Sequence, residues 1–294
     1  MRRTGQLLLL LLFLACFIFR CTVDNAVQQG VSKEIYIDGQ VYYIYIPQAV
    51  AANPNLDADI LAVIHGYSGQ TNGSVGEDIA LLNIERFEEY AEQTNTVLIA
   101  PHFSEAIFDS DYQRFNLDAT RSDTRLIDLI EETQQSFPNI RDQQIKLFGF
   151  SGGGQFVHRF CAFHPSIVKK AVASSSGWYM WPDMALDYAV GLNMQSHPNV
   201  SPIDMNLFLQ SNLLILIGAD DIRQGSFRTD YRGVNLNTLQ GRNRRARASN
   251  WVNAIQSYAT TQGYISNIRL EIVPNTEHVM NDDLMDAAYS FLMN

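Results

Sequence analysis

The sequence is poor in cysteine, with only Cys16, Cys21 and Cys161 among its 294 residues. Two of the three lie within the first 21 residues, which leaves Cys161 as the one thiol of the remaining chain. A disulfide framework is therefore excluded for that part of the chain. A lone cysteine in an apolar stretch is typical of a small core residue, so we do not expect a catalytic thiol.

Sequence motifs for metals and nucleotides are also absent. The six histidines form no His-Glu-x-x-His motif, and no pair of cysteines has the spacing of a zinc site. The phosphate-binding consensus G-x-x-x-x-G-K-[ST] does not occur, and no G-x-G-x-x-G follows the first strand-like segment. We therefore expect no metal site and no phosphate-binding loop of these types.

Basic residues are scarce relative to acidic ones. The chain has 21 lysines and arginines against 31 aspartates and glutamates, which gives a net charge of −10. An acidic surface repels phosphate backbones, so we do not expect nucleic acid as a partner. A hydrophobic content of 46% over this length is enough to bury a full core, which argues against disorder.

Long apolar runs are missing except at the amino terminus, where residues 7–19 are uninterruptedly apolar behind two arginines. This run is too short for an ordinary membrane span and has the length of a signal-peptide core. We predict an export leader over residues 1–25 and a periplasmic, secreted or lipid-anchored location. Cleavage near residues 21–26, a lipoprotein signal at Cys16 and an uncleaved anchor all remain open. Any membrane attachment is expected through this leader only.

Beyond the leader, strand-like and helix-like segments alternate. A Tyr- and Ile-rich hairpin is predicted over residues 34–37 and 41–46. The alternation that follows predicts an α/β fold, in which helices cover both faces of a mostly parallel sheet. The rhythm breaks at about 177–212, which we interpret as a small insertion in a single domain over residues 26–294. The further predicted strands are 59–64, 96–100, 144–149, 168–174, 212–217 and 268–273. The more sharply bounded of the predicted helices are 79–93, 244–262 and 282–292.

One pentapeptide carries the clearest chemical signal. Residues 149–153 read Gly-Phe-Ser-Gly-Gly and match the G-x-S-x-G nucleophile elbow. In that motif a serine sits on a sharp strand-to-helix turn with a strained backbone, and glycines two residues away on either side avoid a collision. An apolar strand precedes the motif here and a plausible helix follows it. The context therefore predicts that Ser151 is a nucleophile.

A serine hydroxyl needs a base and an acid to activate it. His278 follows the last predicted strand and precedes the last helix, which is the expected place for the base. The acid should follow the strand at 212–217, where Asp220 and Asp221 stand side by side. The common G-x-x-D spacing favours Asp221, with Asp220 as the alternative. Either carboxylate could accept the imidazole Nδ1–H and fix the tautomer of the ring.

Ester cleavage also needs hydrogen-bond donors for the oxyanion. The backbone N–H of Gly152, next to the nucleophile, is one candidate. The loop after the 59–64 strand should supply the second, and we predict the N–H of Tyr67 because the glycine before it allows close approach. An adjacent histidine, His65, is interpreted as bracing this loop.

Two further groups of residues have more than one interpretation. The aromatic residues behind the 168–174 strand either line a substrate pocket or pack an insertion on the core; they are Trp178, Tyr179 and Trp181. A basic group is typical of a solvated helix start with salt bridges, although it could bind an anionic substrate; it consists of Arg242, Arg244, Arg245 and Arg247.

Together these motifs resemble the α/β-hydrolase superfamily across nearly the whole chain after the leader. HGY, GFSGG, GADD and a late His278 occur in the superfamily's order. More narrowly, GFSGGGQFVHRF and the following HP are similar to exported esterases related to polyhydroxybutyrate depolymerases and feruloyl esterases. The resemblance implies a sheet of about eight strands, a Ser-Asp-His triad and no cofactor.

The sequence therefore predicts a serine esterase that acts on a small-molecule or polymeric ester. An exported peptidase or amidase with the same machinery remains an alternative, as does an acyltransferase. A non-catalytic binding module with the same fold is the alternative from another class, but it gives no reason to keep Ser151, Asp221 and His278 together.

Overall fold

The computed structural model describes residues 30–37, 40–67, 74–109, 111–225 and 227–294. Its strands are β1 (Val31–Ile37), β2 (Gln40–Ile46), β3 (Asp59–Ile64), β4 (Thr96–Pro101), β5 (Ile145–Phe150), β6 (Val168–Ser174), β7 (Leu213–Gly218), β8 (Asp230–Tyr231), β9 (Val234–Asn235) and β10 (Arg269–Val273). Its helices are α1 (Gln48–Ala52), α2 (Ser74–Thr94), α3 (Glu105–Phe108), α4 (Ser122–Ser136), α5 (Gly152–Phe163), α6 (Met205–Gln210), α7 (Leu236–Gln240), α8 (Arg244–Gln262) and α9 (Asp282–Met293).

One large sheet forms the centre of the molecule. It contains eight strands in the spatial order β1-β2-β4-β3-β5-β6-β7-β10. β2 runs antiparallel to both β1 and β4, and all the other pairings in the sheet are parallel. The predicted mostly parallel sheet of about eight strands and its opening hairpin are therefore confirmed. β8 and β9 form a small separate hairpin.

Helices cover both faces of this sheet, as predicted. α4, α5, α6 and α8 pack on one face, where Phe156 and Trp251 are completely buried. α2 and α9 pack on the other face, where Phe87 and Leu284 are completely buried. β4 and β7 are buried along their whole length, because a sheet covered on both sides exposes neither face to water. Because β3, β5, β7 and β10 run in the same direction, their carboxyl ends share one edge of the sheet, where their loops can meet.

The elements that the sequence analysis does not predict are short. α6 begins after Asp204, whose side chain accepts the N–H of Leu207. α7 begins after Asn235, whose side chain accepts the N–H of Thr238. A helix of five or six residues is too short to show a periodic pattern, so the capping residue is its main local signal. Residues 177–204, within the predicted insertion, contain no helix or strand beyond an isolated bridge.

Some of the sequence-based predictions fall outside the described residues. The leader at 1–25 lies there, and so does the tip of the first hairpin. Within the described ranges, no helix is both long enough and apolar enough to cross a membrane.

Two buried histidines tie backbone segments together in the neutral form. His158 on α5 accepts the N–H of Met180 at Nε2 (3.1 Å), so its Nδ1–H donates to the Gly154 carbonyl (3.1 Å). His65 accepts the N–H of Phe103 at Nε2 (3.0 Å) in the same way. Burial is the main cause of their depressed pKa values, which for His65 falls to about 4 and for His158 lies well below 6.5.

We predict that the protein loses stability as the pH falls from 6.5 towards 4.5. The unfolded chain binds protons at both histidines in this range while the folded chain does not, so acid favours unfolding. Each histidine contributes up to about 1.4 kcal/mol per pH unit. The pKa values of Asp59 and Asp123 are lowered from 3.8, so these two groups change the stability mainly at a more acidic pH than this range. Urea unfolding between pH 8 and 4.5 measures the slope.

The matched variant is His158→Gln, whose amide oxygen can still accept the Met180 N–H. Its free energy of unfolding should depend less steeply on pH than that of the wild type, by about one proton. A variant with an unchanged slope would show that His158 does not carry this dependence.

Candidate active site

The site is built around a strained turn between β5 and α5. Ser151 sits on this turn with φ 55° and ψ −109°, and its N–H donates to the Ser174 carbonyl of β6 (2.8 Å). A Cβ atom on Gly149 would lie 2.3 Å from the Gly153 carbonyl oxygen, and one on Gly153 would lie 2.1 Å from the Ile64 carbonyl oxygen. Neither space can hold a methyl group. The glycines predicted by the motif are therefore required by backbone contacts.

His278 lies between Asp221 and Ser151. Its Nδ1 is 2.8 Å from Asp221 Oδ2, and its Nε2 is 3.2 Å from Ser151 Oγ. A carboxylate can only accept, so the proton is on Nδ1 and Nε2 is free to accept from the serine hydroxyl. The Phe150 ring packs against the imidazole with centroids 4.8 Å apart, which restricts its rotation. The structure thus brings together the three residues that the sequence selects.

The choice between the two aspartates follows from their exposure. The Asp221 side chain is fully buried, whereas Asp220 is exposed at the cleft and makes no hydrogen bond to His278 among those described. The Asp220 N–H donates to the Thr276 carbonyl in the His278 loop (2.9 Å). A Cβ atom on Gly218 would lie 2.1 Å from that same carbonyl oxygen. The acid and base loops therefore touch through their backbones, which sets the separation between Asp221 and His278.

The two predicted oxyanion donors, Gly152 and Tyr67, lie close together in the lining of the same cleft as Ser151. Gly152 is the first residue of α5, so its N–H has no acceptor within the helix. A Cβ atom on Gly152 would lie 2.7 Å from the Tyr67 backbone nitrogen, so these two backbone segments are in close contact. A Cβ on Gly66 would lie 3.4 Å from the nearest atom, an ordinary separation. The close approach therefore depends on Gly152 and not on the glycine before Tyr67, which the sequence analysis predicts as its cause.

The loop that carries Tyr67 is braced from below. His65 Nδ1 donates to the Gly66 carbonyl (2.8 Å), and the His65 carbonyl accepts the Tyr112 hydroxyl (2.7 Å). The Tyr112 ring stacks on Phe103, whose N–H is bound to His65 Nε2. This closed set of hydrogen bonds fixes the position of the loop, in agreement with the bracing interpretation of His65.

A cleft of about 1100 Å³ opens at Ser151. Trp178 lines it, but Tyr179 and Trp181 do not. Tyr179 is completely buried and stacks on Trp251 (5.0 Å), and Trp181 packs partly buried on the core. The pocket interpretation therefore fits only Trp178, because the chain after it turns into the core. Other lining residues include Tyr67, Gln113, Gln155, Ile222, Phe227 and Val279.

The basic group at the start of α8 divides into two kinds. Arg242 and Arg245 are exposed, as a solvated helix start requires. Arg244 and Arg247 are buried, and Arg244 Nη1 lies 3.4 Å from Asp221 Oδ1. The solvated interpretation is wrong for these two. Their spacing of three residues places them on one side of the helix, which is the signal that could have separated them from the others.

A metal site is not evident in the part of the chain that the structure describes. Among the described residues, no group of three or more histidine, cysteine, aspartate or glutamate side chains could hold a metal ion. The one cysteine in that part, Cys161, is completely buried in the core, and burial raises the pKa of its thiol.

No protein-family model and no curated protein matches this chain. Solved structures do match it. Poly(aspartic acid) hydrolase-1 from Sphingomonas sp. KT-1 has a TM-score of 0.72 at 21% identity, over 90% of this chain and 99% of its own. LpqC, a poly(3-hydroxybutyrate) depolymerase from Bordetella parapertussis, has a TM-score of 0.71 at 22% identity, over 90% and 89%. A ferulic acid esterase has a TM-score of 0.55 at 13% identity, over 89% and 95%.

The sheet order, the covering helices and the turn after β5 define the α/β-hydrolase fold, and this chain has it. The resemblance that the motifs indicate is confirmed at this level. Identities of 21% and 22% support the fold and do not carry an activity from one protein to another.

We predict that Gly153→Ala costs more than about 3 kcal/mol of unfolding free energy. Its Cβ would overlap the Ile64 carbonyl oxygen of β3. The atoms that it would meet belong to the backbone of Ile64 and His65, which cannot move aside as a flexible side chain can. The helix propensity of alanine offsets only about 1 kcal/mol of this cost. Chemical denaturation measures the difference.

Gly66→Ala is the matched control in the same site, because its Cβ would meet only ordinary contacts. We expect it to stay within about 1 kcal/mol of the wild type. Equal losses in the two variants would contradict the backbone-contact explanation of the turn.

Proposed function

We propose that this protein is a serine hydrolase that cleaves carboxylic esters through an acyl-serine intermediate. The hydrogen-bonded order Asp221–His278–Ser151, with distances of 2.8 Å and 3.2 Å, carries the proposal. It supplies a nucleophile, a base and a group that fixes the base, which is the arrangement that acyl transfer needs. The proposal includes export through the leader at residues 1–25.

In the first half-reaction Ser151 Oγ attacks the ester carbonyl carbon while His278 Nε2 takes the hydroxyl proton. The N–H groups of Gly152 and Tyr67 then hold the oxyanion, and each such donor contributes about 3 kcal/mol to transition-state stabilisation. The imidazolium ion forms next to the Asp221 carboxylate, which stabilises its charge. His278 then gives the proton to the departing alcohol, and the acyl group stays on Ser151.

In the second half-reaction water attacks the acyl-serine. His278 takes a proton from this water, and the same backbone donors hold the second oxyanion. Collapse of the intermediate releases the acid and returns the proton to Ser151. The cycle needs only groups present in the chain, the ester and water.

The same groups can cleave an amide, so a peptidase or amidase is the second candidate. One observation favours keeping it. The structural neighbour with a TM-score of 0.72 is a poly(aspartic acid) hydrolase, and the backbone of poly(aspartic acid) is held by amide bonds. Ester cleavage is preferred here because an ester carbonyl is more electrophilic than an amide carbonyl, which resonance with the nitrogen stabilises. An acyltransferase would use the same acyl-serine and pass it to an alcohol.

We predict that Ser151→Ala lowers kcat on p-nitrophenyl esters by about 10⁶-fold, as loss of a triad nucleophile does. The wild type should also gain one covalent phosphonate on Ser151 with a fluorophosphonate probe, seen by mass spectrometry. A chain-length series from acetate to palmitate, methyl ferulate and a matched anilide then ranks the substrate classes. A higher rate on the anilide than on the ester would favour the amidase.

Ser166→Ala is the matched control, since Ser166 is an exposed serine behind α5 and outside the cleft. It should keep the wild-type rate and label. If Ser151→Ala keeps the wild-type rate, or folded wild type neither labels nor turns over any of these substrates, the hydrolase proposal fails and the binding module replaces it.

We predict unequal effects at the two adjacent aspartates. Asp221→Asn should lower kcat by about 10⁴-fold, because an amide at this position favours the wrong imidazole tautomer. Asp220→Asn should lower it less than about threefold, since its exposed side chain lies outside the Asp221–His278 hydrogen bond. Steady-state kinetics on one ester, with circular dichroism as the folding check, measures both. A reversal of the two effects would transfer the role of acid to Asp220.

A further inference from the structure

The cleft at Ser151 is lined by arginines although the chain as a whole carries a net charge of −10. Four line it, and three of these have a carboxylate partner. Arg244 is 3.4 Å from Asp221, Arg223 is 3.6 Å from Glu277, and Arg114 forms an ion pair with Asp111. The fourth, Arg228, is exposed and forms no ion pair with any described residue.

Arg228 belongs to a group of three cations around one aromatic ring. The guanidinium carbons of Arg114, Arg228 and Arg232 lie 5.2 Å, 5.3 Å and 5.4 Å from the centre of the Tyr231 ring. We call these three arginines the Tyr231 cluster. The ring offers each cation a weak attraction, but nothing in this contact neutralises the mutual repulsion of the three. Asp111 balances one charge, and no other described carboxylate forms an ion pair with the three, so the described residues leave the cluster with an excess of two.

Two more arginines lie buried behind the cleft without a carboxylate partner among the described residues. Arg159 donates to the carbonyls of Gln155 and Gln113 and stacks on Trp178 (4.5 Å), which lines the cleft. Arg247 donates to backbone carbonyls and to an asparagine side chain. Burial is the main cause that lowers the pKa of each to about 10, so both remain charged near neutral pH.

Buried charge in a medium of low polarity acts over a longer range than charge in water. The Tyr231 cluster and the two buried arginines therefore give one part of the cleft a positive potential, and an anion placed there would offset it. Planar guanidinium groups match the geometry of a carboxylate, to which they can donate two parallel hydrogen bonds. The lining also includes carboxylates. Asp221 and Glu277 are paired with arginines of the lining, and Asp220 is exposed.

We propose that the cleft selects substrates that carry an ionised carboxylate beside the bond to be cleaved, and that Arg228, with Arg114, binds this carboxylate. The proposal deepens the hydrolase function and rests on it for the position of the reacting carbonyl at Ser151. It assigns substrate selection to the Tyr231 cluster.

The test compares two esters that differ only in charge. p-Nitrophenyl hydrogen glutarate carries a free carboxylate, and p-nitrophenyl methyl glutarate has the same chain with that group blocked. The wild type should favour the monoanion by about tenfold or more in kcat/KM, mainly through KM. Higher salt should reduce the ratio, because Arg228 is exposed and its field is screened.

Variants at Arg228 then measure its share. Arg228→Gln should bring the ratio of the two kcat/KM values towards one, Arg228→Lys should keep part of it, and Arg228→Glu should reverse it. The control is Arg141→Gln, because Arg141 is an exposed arginine in an ion pair with Asp57, before β5 and at the opposite edge of the sheet. It should leave the ratio unchanged.

Equal kcat/KM values of the wild type for both esters would overturn the proposal, and so would a ratio that survives Arg228→Glu. A wild type that cleaves neither ester is resolved by calorimetry with Ser151→Ala protein. If the monoanion binds and the added Arg228→Gln substitution abolishes this binding, the carboxylate site stands while the hydrolase function fails. No binding of the monoanion would overturn the site as well.

Discussion

The rest of the site depends on the direct contact of backbone with backbone at the start of α5. Gly153 touches the end of β3, and Gly154 touches the end of β6, where a Cβ would lie 2.5 Å from the Ser174 carbonyl oxygen. The helix can therefore enter between two strands only if its first turn has no side chains on that side. This close packing of the start of α5 goes with the positive φ at Ser151, which directs the serine hydroxyl above the sheet. The strain costs about 1–3 kcal/mol, which the packing of α5 on the sheet offsets.

The partners of the serine reach it because parallel strands end at one edge. Asp221 follows β7 and His278 follows β10, and these two strands are neighbours in the sheet. The two loops hold each other through the contact of Gly218 with Thr276, whose side chain is itself completely buried. The separation between the Asp221 loop and the His278 loop is thus set by backbone packing.

Much of this architecture could be predicted because its signals are local. A buried strand such as β7 is a continuous apolar run, and α8 lies over residues 244–262 as predicted. The glycine spacing around Ser151 reports a backbone constraint directly. The hidden features depend on tertiary contacts. Nothing in the sequence near Tyr179 says that its ring turns inward onto Trp251, and a run of arginines reads as solvated until the burial of one side of the helix is known.

Arg244 shows why burial changes the meaning of such a residue. It shares the Asp221 carboxylate with His278, one oxygen to each, and the guanidinium also packs on Phe227 (4.9 Å). A cation on Oδ1 holds the carboxylate in the plane of its hydrogen bond to His278, but it also draws charge away from the imidazolium ion that the proposed mechanism forms. The distances decide which effect is larger. At 2.8 Å the histidine has a short, charge-assisted hydrogen bond, while the arginine at 3.4 Å has a weak one. Arg244 therefore orients Asp221 and leaves most of its charge to His278.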